Sequence, residues 1–129
     1  MATQAAYLAA DHVLITVKPE YLAAIGLPLL ATSLRTFSDT YERQVAVAGI
    51  VFNDVVSSYE NERSKDDVIA LAQANGWYVF ENEVSHSDSY PRGPREQTAI
   101  TRTKQARWSR RLEFERVSQE FLRRVGLLT

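Results

Sequence analysis

The sequence predicts an α/β fold: three layers, with a partial parallel sheet of about three strands and helices flanking it. Three observations carry this. The stretch His12-Val13-Leu14-Ile15-Thr16-Val17 is short, apolar and rich in β-branched residues, the composition of a strand buried on both faces. Val45-Ala46-Val47-Ala48-Gly49-Ile50-Val51-Phe52 repeats that signature, and Trp77-Tyr78-Val79-Phe80 gives a shorter third strand. Between these runs the apolar residues recur at helical spacing, so the order α-β-α-β-α-β emerges, and that alternation favours parallel pairing.

Ala2 to Ala10, with Tyr7 and Leu8 as its bulky members, reads as a short helix feeding the first strand. Lys18-Pro19-Glu20 then ends that strand, because Pro cannot continue a ladder. Tyr21 to Ile25 gives one apolar helical turn. Gly26 is expected to interrupt it, with Pro28 opening a longer helix as its first residue. Leu29, Leu30, Leu34 and Phe37 mark the apolar face of that helix, which ends near residues 38–41. Asn53-Asp54 terminates the second strand. Residues 57–64 are polar and expected to loop, with Ser64 as N-cap and Asp66 and Asp67 in the first turn of the next helix. Val68, Ile69, Leu71 and Ala72 give it an apolar face, and Asn75-Gly76 is a stop signal.

Residues 81–104 lose all periodicity and form a long basic loop, a length that points to function or to disorder. Residues 105–125 read as a terminal helix. Its expected core positions are Trp108, Leu112, Val117, Phe121, Leu122 and Val125. Arg110, Arg111, Glu113, Glu115, Arg116, Glu120, Arg123 and Arg124 are expected on its wet face.

The 129 residues suit one domain, 45% hydrophobic and 24% charged. With no Cys, disulfides, thiolate metal sites and Cys nucleophiles are excluded. No apolar run reaches membrane-spanning length and no signal-peptide layout opens the chain, so a cytoplasmic protein without membrane contact is expected. The formal net charge of -1 hides an asymmetry: the acidic residues concentrate before residue 86 and the basic ones after it. That split fits either a surface for phosphate or nucleic acid, or simply solvated helical charges.

Several segments together carry a family resemblance. Ala9-Ala10-Asp11-His12-Val13-Leu14-Ile15-Thr16-Val17-Lys18-Pro19-Glu20-Tyr21-Leu22-Ala23, with Gly26-Leu27 after it, resembles a signature segment of ParA/MinD-type (deviant P-loop) partition ATPases. Gly49-Ile50-Val51-Phe52-Asn53 is similar to the family's strand that ends near the nucleotide base. Residues 87–93, Ala106-Arg107-Trp108 and the Phe121-Leu122 helix resemble the basic C-terminal region of one branch. The match covers nearly the whole chain and corresponds to the C-terminal half of the P-loop NTPase fold.

The resemblance implies a partition protein of DNA segregation that recognises a nucleotide base, binds DNA without sequence preference and contributes a dimer surface. On that basis Asn53, Ser85 and His86 occupy base-contacting positions. Arg92, Arg95, Arg102, Lys104, Arg107, Arg110 and Arg111 form the DNA surface. Implied partners are non-specific DNA, a second copy, a complementing N-terminal half and a ParB-like protein; nucleoid association follows if DNA is bound.

The sequence also departs from the family. It contains no G-x-x-x-x-G-K-[ST] or variant of it, and lacks the magnesium-binding Asp found upstream in the family. Backbone amides to cradle phosphates and side chains to hold the metal are therefore missing, and no ATP hydrolysis is expected. ATP and Mg²⁺ enter only if an N-terminal half completes the chain, and a half-protein is the expectation.

Each residue has a plainer reading. Asn53 suits a purine edge, and Asn-Asp is equally a favoured turn. His86 has only His12 as a His companion, so a surface His is the simpler reading than a metal ligand. The basic residues of the last helix interleave with acids, as on any solvated helix. Trp108 is expected in the core rather than as a base-stacking platform. The alternative function is an interaction protein that pairs with itself or with a separately encoded half, with no nucleotide or DNA role.

Overall fold

The computed structural model describes residues 2–87, 90, 91, 94, 95, 97–99, 102 and 108–129. Among them are four helices and a two-stranded parallel sheet: α1 (Ala2–Ala9), β1 (Val13–Val17), α2 (Tyr21–Tyr41), β2 (Val47–Phe52), α3 (Tyr59–Asn75) and α4 (Trp108–Arg124). The α/β class and the alternation of elements are as the sequence predicts.

β1 and β2 pair in parallel with one irregularity. Val13 faces Val47, but Leu14 already faces Gly49, so Ala48 is an extra residue in β2. The carbonyl of Ala48 accepts from Nε of Arg124 at 3.1 Å, which ties the last turn of α4 to the bulge. Gly49 has φ +146°, and a Cβ there would lie 2.7 Å from the Tyr78 carbonyl and 2.9 Å from the Phe80 ring. Only glycine fits that close approach.

The expected third strand is reduced to a bridge. Val79 pairs in parallel with Ile50 alone, held by Ile50 N–H to Tyr78 O at 2.7 Å and Phe80 N–H to Ile50 O at 2.8 Å. Beyond Phe80 the chain turns back to β2's end, where Val84 donates to Phe52 O at 2.9 Å and Val55 donates to Val84 O at 3.1 Å.

Helices cover both faces of the sheet. On one face Ile15, Val17, Ile50 and Phe52 pack with Leu27 of α2 and with Val68 and Ala72 of α3. On the other, Val51 packs with Phe80, Val84 and Val117 of α4, and Leu14 and Phe121 adjoin them. α1 docks on α2 through Tyr7, whose ring meets Phe37 edge-on at 5.3 Å. Arg43 reaches back to the carbonyls of Leu8 and Ala10, satisfying acceptors at the end of α1.

Two element boundaries differ from expectation. α2 runs unbroken from Tyr21 through Gly26 and Pro28. Pro28 removes one N–H from the helix interior, a cost of about 3 kcal/mol. Leu27, Ala31, Leu34 and Phe37 offset it by forming one buried stripe that spans the proline. Leu29, expected in the core, is instead 70% exposed. α3 starts at Tyr59, six residues early, because Ser58 rather than Ser64 is the N-cap: its Oγ accepts from Asn61 N–H at 3.1 Å. Ser64 lies buried within the helix. Gly76 closes α3 in the left-handed conformation, as its sequence position suggests.

In α4, Val117 is buried, but Trp108 is 74% exposed and is not a core residue. Glu120, assigned to the wet face, is only 5% exposed. No helix among the described residues is long and apolar enough to cross a membrane.

Candidate functional site

In open α/β sheets ligands bind beyond the carboxyl ends of the strands. Here that edge is built from the Lys18-Pro19-Glu20 turn after β1, Asn53-Asp54 after β2, and residues 84–86. Pro19 is fully buried and fixes the first turn. The N–H of Asn53 donates to Val17 O at 2.8 Å, so the ladder continues one residue past β2 and delivers Asn53 to the rim. Its side chain is exposed there.

Asp54 takes φ +53°, a conformation that Asp tolerates better than most side chains. One carboxylate oxygen meets Nδ1 of His86 at 2.5 Å and the other meets Nζ of Lys18 at 3.2 Å. Lys18 also pairs with Glu20 at 2.8 Å. The hydrogen bond with His86, followed by that from Lys18, holds the Asp54 carboxyl below the usual range. The bond to Glu20, then that to Asp54, raises the Lys18 ammonium. All three chain ends are thus joined by one charged chain. The N–H of His86 donates to Val55 O at 2.9 Å, and Ser85 bridges in parallel to Val55.

Ser85 is committed to α4. Its N–H donates to Glu113 at 2.7 Å and its hydroxyl donates to the same carboxylate at 2.6 Å. Two turns further along the same face, Glu120 accepts from the hydroxyl of Tyr78 (2.7 Å), from the N–H groups of Glu81 (2.8 Å) and Asn82 (2.9 Å), and from Nδ2 of Asn82 (2.8 Å). Two acids on α4 therefore hold the 81–85 segment against the sheet. Lys65 of α3 grips the same segment from the other side through Glu83 at 2.8 Å. These residues position the rim; Glu113 and Glu120, expected on the wet face of the helix, instead turn towards the sheet. The available signal was the spacing of Glu113, Val117 and Glu120, which places both acids on the buried face of one helix.

The sequence-predicted base contacts Asn53, Ser85 and His86 do converge on this rim, although Ser85 spends its proton on Glu113. The predicted DNA surface is less unified. Arg95 and Arg102 are exposed. Arg110 lies 3.4 Å from Glu113 and is half-buried, as is Arg111. Arg92, Lys104 and Arg107 lie outside the described residues. Residues 94, 95 and 102 belong to the stretch expected to be the long basic loop.

Beneath the rim, between the sheet and α4, runs an apolar groove of about 490 Å³. Leu14, Val51, Tyr90, Phe114 and Phe121 line it, and Asn53 supplies an amide at its mouth. Among the described residues no cluster of three or more His, Cys, Asp or Glu side chains has metal-binding geometry.

No family model and no curated protein matches this sequence.

Proposed function

We propose that the chain is a base-recognising, DNA-contacting half of a ParA-like partition ATPase, without hydrolytic activity of its own. The observation that carries this reading is the convergence of Asn53 with the Ser85–His86 segment at the carboxyl edge of parallel strands. An Asn amide both donates to and accepts from a purine edge. The rim offers it from an exposed backbone position anchored by Asn53 N–H to Val17 O. These residues fit a base; phosphates and magnesium would need a loop that this sequence lacks, so ATP belongs to the reading only together with a phosphate-binding half. In that complex Asn53→Ala should weaken adenine-nucleotide binding at least about tenfold, roughly the loss of one good hydrogen-bonding contact.

The DNA-contacting part draws on the basic bias of residues 86–129 and the exposure of Arg95 and Arg102. Phosphate contacts release counterions, so binding must weaken steeply with salt. Plasmid DNA mixed with the protein should be retarded at about 50 mM salt and released at about 200 mM. Absence of retardation at the lower salt, or retention indifferent to salt, would refute this part.

A second reading is favoured by a different observation: among the described residues, β1 pairs with β2 alone and its other edge is unpaired. It makes the chain an interaction protein that pairs with a copy of itself or with another half. Sedimentation separates the two: an interaction protein self-associates whether or not DNA or nucleotide is present.

A further inference from the structure

At the end of the sheet away from the rim, a second cleft opens between α2, the end of α3 and the start of β2. Its volume is about 550 Å³, a size that suits a small molecule. The apolar part of its lining is Leu34, which is buried, with Val45, Val47 and Trp77, which are half-buried. Trp77 also packs against two core clusters, so its place in the lining is fixed.

Arg35 and Asp39 line the α2 side of the cleft, and both are exposed. They stand four residues apart, where helical side chains are neighbours, about 5–6 Å apart at Cβ. Yet no ion pair joins them. Among the described residues, Arg35 makes only a long bond within its own helix, 3.4 Å to Thr32 Oγ1, and Asp39 has no partner. A base placed before its acid is the weaker order for such a pair. Both charges therefore remain available to a ligand. A simple anion drawn to Arg35 meets the Asp39 carboxylate, and a simple cation drawn to Asp39 meets the guanidinium. A molecule that carries both charges side by side satisfies the two together.

The helix ends give that molecule a direction. α2 and α3 both finish beside the cleft, and neither has a basic residue in its last turn. Their carbonyl ends favour positive charge on the Asp39 side. Asn75 uses its amide nitrogen on Leu71 O at 2.9 Å, and its carbonyl oxygen adds an acceptor at the end of α3.

We propose that this cleft binds a free α-amino acid with an apolar or aromatic side chain. Its carboxylate meets Arg35, whose planar fork suits that group. Its ammonium meets Asp39 and the helix ends, and its side chain leaves water against Leu34, Val47 and Trp77. None of these residues belongs to the rim, so the site stands or falls separately from base recognition and DNA retention.

Isothermal titration of the full chain with L-phenylalanine and with L-leucine should show saturable binding to one site. N-acetyl-L-phenylalanine lacks the ammonium and phenylethylamine lacks the carboxylate, so each should bind at least about tenfold more weakly than L-phenylalanine. Arg35→Ala and Asp39→Ala should each weaken L-phenylalanine by a similar factor. Both residues are exposed, so both variants should keep the native circular dichroism. In NMR spectra the indole N–H signal of Trp77 should move on titration while that of Trp108 stays, the two being told apart with Trp108→Phe. Absence of binding by both amino acids at millimolar concentration overturns the proposal. So does either analogue binding as tightly as L-phenylalanine, affinity indifferent to both substitutions, or a shift of Trp108 in place of Trp77.

Discussion

The hydroxyl of Tyr78 donates to the Glu120 carboxylate at 2.7 Å, joining the bridge beside β2 to the buried face of α4. The same carboxylate accepts three more hydrogen bonds from Glu81 and Asn82. With Glu120 removed, a turn of backbone donors is left inside the protein with no acceptor. Glu120→Ala should therefore destabilise the fold by about 3 kcal/mol, and Glu120→Gln, which keeps one oxygen, by about half that. Urea titration followed by far-UV circular dichroism measures both.

The same bond gives stability a definite pH dependence. Burial alone would raise the Glu120 carboxyl; the hydrogen bonds from Tyr78, Asn82 and Glu81 outweigh it and hold the group below its ordinary value. A depressed acid stabilises the fold above its unfolded pKa, so this contribution should be intact at neutral pH and disappear as pH falls through the folded value. Tyr78 shifts the opposite way, pushed up to about 12 by its bond to Glu120 and by burial. Its contribution is present below the ordinary tyrosine value and is lost as pH rises through about 12. Stability curves of wild type and Glu120→Gln should converge at both extremes.

At the rim, Asp54 is held below the usual carboxylate range first by His86 and then by Lys18. Carboxyl NMR titration should show the Asp54 pKa rising in His86→Ala, and rising further when Lys18→Ala is added. No rise in the single variant would mean that the His86–Asp54 contact does not persist in solution.

Gly49→Ala forces a Cβ to within 2.7 Å of a backbone oxygen that cannot retreat without breaking the Ile50–Tyr78 bond. Overpacking together with the unfavourable φ should cost at least about 2 kcal/mol. Thermal melting should show the loss, whereas Gly26→Ala, with open space around it, should be neutral or stabilising.

Much of the fold was legible because it rests on local pattern. The apolar runs of β1 and β2, the Gly76 stop and the buried positions of α3 are written in residue type and spacing. What was hidden depends on partners distant in sequence. Pro28 looks like a helix start until the stripe of Leu27, Ala31, Leu34 and Phe37 is seen to be buried on both sides of it. Ser58 and Ser64 are equally good caps on paper, and only the burial of Ser64 separates them. Trp108 reads as core by hydrophobicity, yet it is exposed and no described element covers it. The rim was partly legible: Asn53 follows a strand and is easily placed, whereas the Ser85–Glu113 bond joins residues 28 positions apart. In a helix rich in Arg and Glu, a buried acid has the same letter as a solvated one.

The extra residue at Ala48 has a consequence for mutation that differs from anything at the helices. Side chains alternate along a strand, so one added position exchanges the two faces from there onward. Val47 packs against the same core cluster as Ile50 and Phe52, three and five positions on, which strict alternation forbids. Deleting Ala48 would bring Val47 and Ile50 to a spacing of two, so the ladder would straighten with Ile50 and Phe52 still towards α2 and α3 and Val51 towards α4, at the loss of the carbonyl that accepts from Arg124. Deletion of Ala48 should therefore be far better tolerated than deletion of Val51, which would carry Phe52 over to the face of α4: the parity of β2 beyond the bulge, more than its exact composition, decides which way the protein's interior faces.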